Sequence, residues 1–325
     1  MNTKILYILV SGPADVYLEQ AFVSAYSAAR CNPDASLVLL TDTATDNGWL
    51  KENPLATDFK ALFSEIVVAP LDPDLPAMQR SRLLKTGMRE YVKGDFLFID
   101  ADTIVQRPLS GIDDYQPALA AVPDLHSVFA EHPHRRATLN MCKKLRYDAS
   151  GDDYYYNSGV LLVRDTPGNH SFFKQWQKNY LAGYKKGIRP DQPSLAKTNE
   201  NKYISRMPDS WNCEIQNGVR YLKDAFIIHY MVTNQSAGEL DRLYLLNDPE
   251  VMLRMRHAGK MTEEILEVVK DPFKGYAPVT QVFAGKEIHF FRTRRYRWMR
   301  ARYLAGKGSF LEFLLKVKDH LTKKK

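Results

Sequence analysis

Cysteine is scarce in this chain of 325 residues, and Cys31, Cys142 and Cys213 are scattered. An odd count without paired spacing excludes a disulfide framework and a thiolate metal site. A reducing, cytoplasmic location is the expectation that follows. Long apolar runs are also missing. No stretch approaches the roughly 20 residues that cross a bilayer, so an integral membrane protein is not expected. The apolar start, Ile5 to Val10, is short and runs into Gly12-Pro13-Ala14-Asp15 without a cleavage region. It reads as a first buried strand rather than a signal peptide. Acidic residues are sparse at the other end, where residues 286–325 hold thirteen Lys/Arg against Glu287, Glu312 and Asp319. That local balance of +10 out of a net +7 leaves the rest of the chain at −3. A mildly acidic body therefore carries a strongly basic tail.

What is present is organised around Phe96-Leu97-Phe98-Ile99-Asp100-Ala101-Asp102. An unbroken apolar run, read as a buried strand, delivers two carboxylates one residue apart to its carboxyl end. Ligands of open α/β sheets bind just beyond such ends. Carboxylates there need a cation, and a divalent metal carrying a phosphorylated ligand is the economical candidate. A solvated strand-to-loop turn is the bland alternative, because short Asp-x-Asp matches are common.

The surrounding pattern predicts an α/β domain. Strand 4–11, helix 15–30 and strand 36–42 form a βαβ unit with a parallel sheet. Partial helix over 47–63 and strand 65–69 follow. The spacing predicts a helix over 79–93 that stops at Gly94, with Arg80, Arg82, Lys85 and Arg89 off its apolar face. Arg80 and Arg82 are candidates to reach a diphosphate; a solvated face is the alternative for all four. Ala118 to Val122 reads as a strand. His126, His132 and His134 fall in a polar segment, and His132 and His134 are expected at the surface.

Tyr156-Asn157-Ser158-Gly159-Val160 opens another apolar strand, where Gly159 allows a close backbone approach. Asn169 to Tyr184 predicts an aromatic core helix. Asp191 and Gln192 enter a short helix with Asp191 suited to an N-cap, and side by side they can hydrogen-bond a polyol. Ile227-Ile228-His229 ends a further buried strand in a histidine.

In order along the chain, Arg82, Phe98-Ile99-Asp100-Ala101-Asp102, Asn157-Ser158-Gly159-Val160, Asp191-Gln192 and Ile228-His229-Tyr230 together resemble glycosyltransferase family 8. This family includes glycogenin and bacterial lipooligosaccharide galactosyl- and glucosyltransferases, and the likeness spans about residues 4–235. It implies a GT-A fold, a Rossmann-like mixed sheet flanked by helices, with a nucleotide sugar, usually a UDP-sugar, and Mn²⁺ or Mg²⁺. By the same resemblance Asp100, Asp102 and His229 hold the metal. Arg82, Asp100, Ala101 and Asp102 border the donor, and Ser11, Gly12, Thr41 and Asp42 lie near its base. Asn157, Asp191 and Gln192 face the transferred sugar in a retaining reaction whose acceptor is a saccharide or lipid-linked glycan of the cell envelope. The sequence departs from the family after His229, where Gln235 stands near the place of a phosphate-binding lysine.

The catalytic domain is thus expected over 1–235 and a helical region with a basic amphipathic tail over 236–325. Basic and aromatic residues in that tail suit an anionic membrane surface, on the inner face of the cytoplasmic membrane. Nucleic acid is not the expected partner, although RNA would use the same residue types. Two alternatives stay open: a haloacid dehalogenase-like phosphatase built on Asp100 and Asp102, and a non-catalytic nucleotide-sugar or membrane-binding protein.

Overall fold

The computed structural model describes residues 1–215, 217–230, 244–276 and 293–304. Gln235, the 286–292 stretch and the amphipathic segment beyond 304 lie outside them. In chain order the strands are β1 (Lys4–Leu9), β2 (Leu37–Asp42), β3 (Glu65–Ala69), β4 (Phe96–Ile99), β5 (Thr103–Val105), β6 (Leu119–Pro123), β7 (Tyr156–Val163), β8 (Ser205–Arg206), β9 (Cys213–Glu214) and β10 (Ile227–His229). The helices are α1 (Tyr17–Cys31), α2 (Leu50–Glu52), α3 (Ala56–Lys60), α4 (Ala77–Tyr91), α5 (Arg135–Lys144), α6 (Pro167–Tyr184), α7 (Gln192–Thr198), α8 (Pro249–Ala258) and α9 (Glu263–Lys270), followed by a helix at Arg294–Leu304.

A seven-stranded mixed sheet runs β3-β2-β1-β4-β7-β6-β8, parallel from β3 through β4 and antiparallel where β7 joins β4 and β6. Every residue of β2 and β4 is buried, so these strands read as continuous apolar runs rather than as alternations. A second sheet, β5-β10-β9, lies at the carboxyl end of β4. The three residues Asp100, Ala101 and Asp102 are the link between β4 of one sheet and β5 of the other. Pairing of His229 with Thr103 across β10 and β5 then returns the histidine to that link.

Apolar clusters cover both faces of the large sheet. One is closed by α1 and the C-terminal helices, the other by α4 and α6 through Leu84, Met88, Phe173 and Trp176. Tyr244, Leu246, Met252, Met255, Ile265 and Val269 share a cluster with Ile5 and Leu97. Among the described residues, therefore, no break in packing separates the segment through 276 from the sheet. No helix among the described residues is long and apolar enough to cross a membrane.

The segment between β6 and β7 is more built than its polar composition suggests. It contains α5 and a small apolar cluster of Phe129, Cys142, Ala149 and Tyr155. His132, expected at the surface, is only 3% exposed. Its ring lies edge-on to Tyr155 and its Nε2 meets Asp124 Oδ2 at 2.8 Å. A buried carboxylate is an acceptor that a polar stretch of sequence does not reveal.

Candidate active site

Asp100, Asp102 and His229 each present a ligand atom within 4.8 Å of the others. The approach depends on Gly159. A Cβ at that position would clash with the His229 ring and stand 2.9 Å from Asp100 Oδ2, and Gly159 O accepts the Asp100 N–H at 2.7 Å. The close approach permitted at this glycine is thus made by protein side chains. Ala101, between the two carboxylates, packs on the apolar cluster below.

The histidine's tautomer follows from its supports. Asn157 Oδ1 accepts the Gly159 N–H at 2.8 Å, which fixes the orientation of that amide. Asn212 Nδ2 donates to the same oxygen at 3.0 Å, so Asn212 Oδ1 is the atom that meets His229 Nδ1, also at 3.0 Å. Nδ1 must carry the hydrogen, and Nε2 is turned toward Asp102 Oδ1 at 3.2 Å. Such a second contact, orienting a ring nitrogen toward two carboxylates, is the support a metal-ligating imidazole requires. Burial disfavours the charged ring, but Asp102 outweighs it and His229 is held above its usual pKa. Burial raises the Asp102 carboxyl, yet the His229 charge and hydrogen bond leave it below the ordinary range. At Asp100 burial wins and the pKa rises, despite Lys85.

Lys85, on α4, is 3% exposed, and its Nζ lies 3.0 and 2.8 Å from the two oxygens of Asp100. It also stands 4.0 Å from Asp191 Oδ2. The alternative of a solvated helix face is wrong for this residue and for Arg89, which is 1% exposed. Arg82, one turn earlier, places Nε 3.0 Å from Asp191 Oδ1. Asp191 precedes α7 as expected, but its side chain does not cap that helix. It accepts from Ser158 Oγ at 2.7 Å and pairs with the two cations. Burial opposes its charge; Lys85 and Arg82 overcome this and hold the carboxyl below its usual pKa. Gln192 donates through Nε2 to Asp124 Oδ1 at 2.8 Å and to Tyr156 O at 3.3 Å.

Four residues expected at the donor are engaged by other protein groups. Asn157 is 2% exposed, and Nδ2 donates to Asp124 Oδ1 and Glu214 Oε1 while Oδ1 takes two hydrogen bonds. All four of its hydrogen-bonding positions are used, so it organises the site without a valence for a sugar. Thr41 is fully buried with its hydroxyl on Leu9 O, and Asp42, equally buried, is held by Arg80 and by Thr45 N. Arg80 directs Nη1 to that Asp42 carboxylate. Ser11 and Gly12 do lie at the carboxyl end of β1, in a turn closed on the carboxylate of Asp15.

Sequence reasoning missed Lys85, Asn212, Asp124, Glu214 and Tyr17. Asp124 binds His132, Asn157 and Gln192 together, and these hydrogen bonds outweigh its burial to keep it ionised. Glu214 is fully buried beside it; burial first and the Asp124 charge next push its pKa well up. Tyr17 is 54% exposed and lies within the fields of Asp15, Arg82 and Asp102.

The seven-stranded mixed sheet flanked by helices, with the Asp100–Asp102 link at the end of β4, is the GT-A class of fold. Within that class the chain is similar in structure to the galactosyltransferase LgtC, solved with donor and acceptor sugar analogues. The TM-score is 0.52 at 16% identity, over 82% of this chain and 100% of that one. The chain is also similar to the apo bifunctional glycosyltransferase WbbM, with a TM-score of 0.49 and 17% identity over 71% of this chain, and it spans 46% of that protein's length. Apo GlyE of Streptococcus pneumoniae TIGR4 gives 0.48 and 17% over 87% of this chain and 67% of that one. No protein-family model and no curated protein matches the sequence.

Proposed function

We propose that the chain is a metal-dependent retaining glycosyltransferase that takes a sugar from a nucleotide sugar, a UDP-sugar in the first instance, to a saccharide or lipid-linked glycan of the cell envelope. The observation that carries this reading is the Asp100, Asp102 and His229 group, with ligand atoms within 4.8 Å, at a sheet crossover flanked by Lys85 and Arg82. Two carboxylates and an imidazole suit Mn²⁺ or Mg²⁺, the mixed O/N set favouring Mn²⁺. Bound there, the ion would supply Lewis-acid neutralisation of a diphosphate leaving group.

The protein's own residues supply the rest. Lys85 and Arg82 bring positive charge to the same end of the sheet, so the cation missing near Gln235 has candidates on α4. Asp191 stays ionised and buried between them and Ser158, where it can face positive charge developing on a sugar ring. Gln192, anchored through its amide hydrogens to Asp124 and Tyr156, is placed to orient that sugar. Asn157 and Asn212 hold His229 in the tautomer that leaves Nε2 for the ion. Tyr17, an exposed ring near Asp102, suits stacking on a base.

The basic C-terminal region is proposed to bring the protein to an anionic membrane surface at the inner face of the cytoplasmic membrane. The helix Arg294–Leu304 carries Arg294, Arg295, Arg297, Arg300 and Arg302, and its Trp298 is 45% exposed. Deleting residues 286–325 is expected to abolish sedimentation with anionic liposomes; unchanged sedimentation would refute the membrane role. For the reaction itself, the test is UDP release from a panel of UDP-sugars with and without Mn²⁺. Silence across the panel together with no metal-dependent UDP binding would sink the enzyme reading.

A further inference from the structure

The loop after β1 reaches the carboxyl end of the sheet beside β4, whose end carries Asp100. Its residues close on one another. Asp15 accepts from Ser11 Oγ at 2.6 Å, Gly12 N at 2.9 Å and Tyr17 N at 3.1 Å. The carbonyls of Pro13 and Asp15 are both taken by one side chain more than 240 residues further along the chain. Arg256, on α8 and 8% exposed, donates from Nη1 to Pro13 O at 3.0 Å and from Nη2 to Asp15 O.

The same guanidinium is anchored below. Its Nε and Nη2 lie 2.7 and 3.0 Å from the two oxygens of Glu19, a fully buried residue of α1 that also receives Asn53 Nδ2 at 3.0 Å. The plane covers the Trp49 ring at 4.7 Å. Four hydrogen bonds from one planar fork fix a loop conformation in a way a point charge cannot, because the acceptors are spread over three residues. If Arg256 served only to neutralise Glu19, the pair with Glu19 would suffice; the two loop carbonyls make the difference.

We propose that Arg256 is a positioning residue for the 11–17 loop and, through it, for the nucleotide end of the donor site. The C-terminal helices then set the affinity for the nucleotide sugar without contacting it. This inference rests on the donor reading above and extends it to the segment beyond residue 244.

The experiment compares the full-length wild-type protein with Arg256→Lys and with the double variant Glu19→Gln/Arg256→Met. The lysine keeps a charge opposite Glu19 but loses the fork. The double variant leaves no unpaired buried charge, which guards against simple unfolding. With whichever of UDP-glucose or UDP-galactose the wild type turns over with Mn²⁺, both variants should raise KM for the donor by about tenfold, the effect of a small misplacement, with kcat changed much less. Amide exchange should accelerate in 11–17 and stay as in the wild type in β4 and β7. A fall in Tm with KM and 11–17 exchange unchanged would reduce Arg256 to a brace between α1 and α8 and overturn the inference. A wild type silent toward every UDP-sugar and without metal-dependent UDP binding would overturn the donor reading and this inference with it, whereas unchanged donor KM in both variants beside an active wild type overturns this inference alone.

Discussion

Lys85 Nζ sits astride the carboxylate of Asp100, 3.0 Å from one oxygen and 2.8 Å from the other. In the absence of metal the lysine is the cation that makes this carboxylate tolerable at the end of a buried strand. A divalent ion at Asp100 must share or displace it. Lys85→Met is therefore expected to cost about 2 kcal/mol without metal, below the range for a fully enclosed pair because Asp100 is partly exposed. The variant should recover more stability than the wild type does when Mn²⁺ is added. Thermal melts with and without millimolar Mn²⁺ decide this. Equal metal-induced shifts in both proteins would mean that Lys85 and the ion do not compete.

The relay from Gly159 through Asn157 and Asn212 to His229 predicts how metal affinity responds to a residue that touches no metal. Asn212→Ala removes the acceptor for Nδ1–H and frees the ring to turn, so Mn²⁺ affinity should fall about 10- to 100-fold. Because Asp102 holds His229 above its ordinary pKa, the proton on Nε2 competes with the ion. Affinity should decline as pH drops through that raised value, with a proton released on binding. Calorimetry in buffers of different ionisation enthalpy reads the release directly. An affinity flat with pH in the range where His229 titrates would remove the histidine from the ligand set.

How much of this was legible beforehand depends on the range of the interactions. The grouping of Asp100, Asp102 and His229 was legible because each lies at or just beside the end of an apolar strand, and strand ends are readable from local pattern. The parallel βαβ start and the aromatic helix α6 were readable for the same reason. Lys85 was not, since helical spacing separates apolar from polar positions and places any lysine on the wet side; only the carboxylates of Asp100 and Asp191 draw it in. The network beneath the site was less legible still. His126 Nε2 accepts the Glu214 N–H across 88 residues, and Asn157 reaches Glu214 across 57. A polar residue with such a partner looks in sequence like a surface residue, as His132 did.

Gly159 tests whether the three candidate ligands need their close spacing. An added methyl group would meet His229, Asn157 Oδ1 and Asp100 Oδ2, each of which is held by a hydrogen bond that a retreat would break. Gly159→Ala should fold with a loss of about 1–3 kcal/mol from overpacking, and should lose measurable Mn²⁺ binding. Mn²⁺ electron paramagnetic resonance of the free ion gives the bound fraction. Binding retained at wild-type strength would show that the ligands have room the geometry denies them.

Glu214 gives the sharpest pH prediction. It receives Leu125 N and Asn157 Nδ2, and burial together with the charge of Asp124 drives its pKa well above the ordinary carboxyl value. Leu125 and His126 both have φ of +53°, a left-handed turn that a leucine adopts only when held, and Glu214 holds one end of it. The sign follows from linkage. The folded state keeps a proton that the unfolded chain releases near pH 4.3, so this carboxyl favours folding fully below that pH and progressively less as pH rises toward its folded value. Glu214→Gln keeps an acceptor for Leu125 and has no proton to release. Relative to the variant, the wild type should lose up to about 1.4 kcal/mol per pH unit as pH rises above the unfolded carboxyl value and until Glu214 ionises inside the fold, so the two stability curves diverge as pH rises. Urea denaturation at pH 5, 6 and 7 measures the gap. Parallel curves would mean that Glu214 ionises inside the fold as readily as outside, and that the turn at Leu125 is held by a charge rather than by a neutral acid.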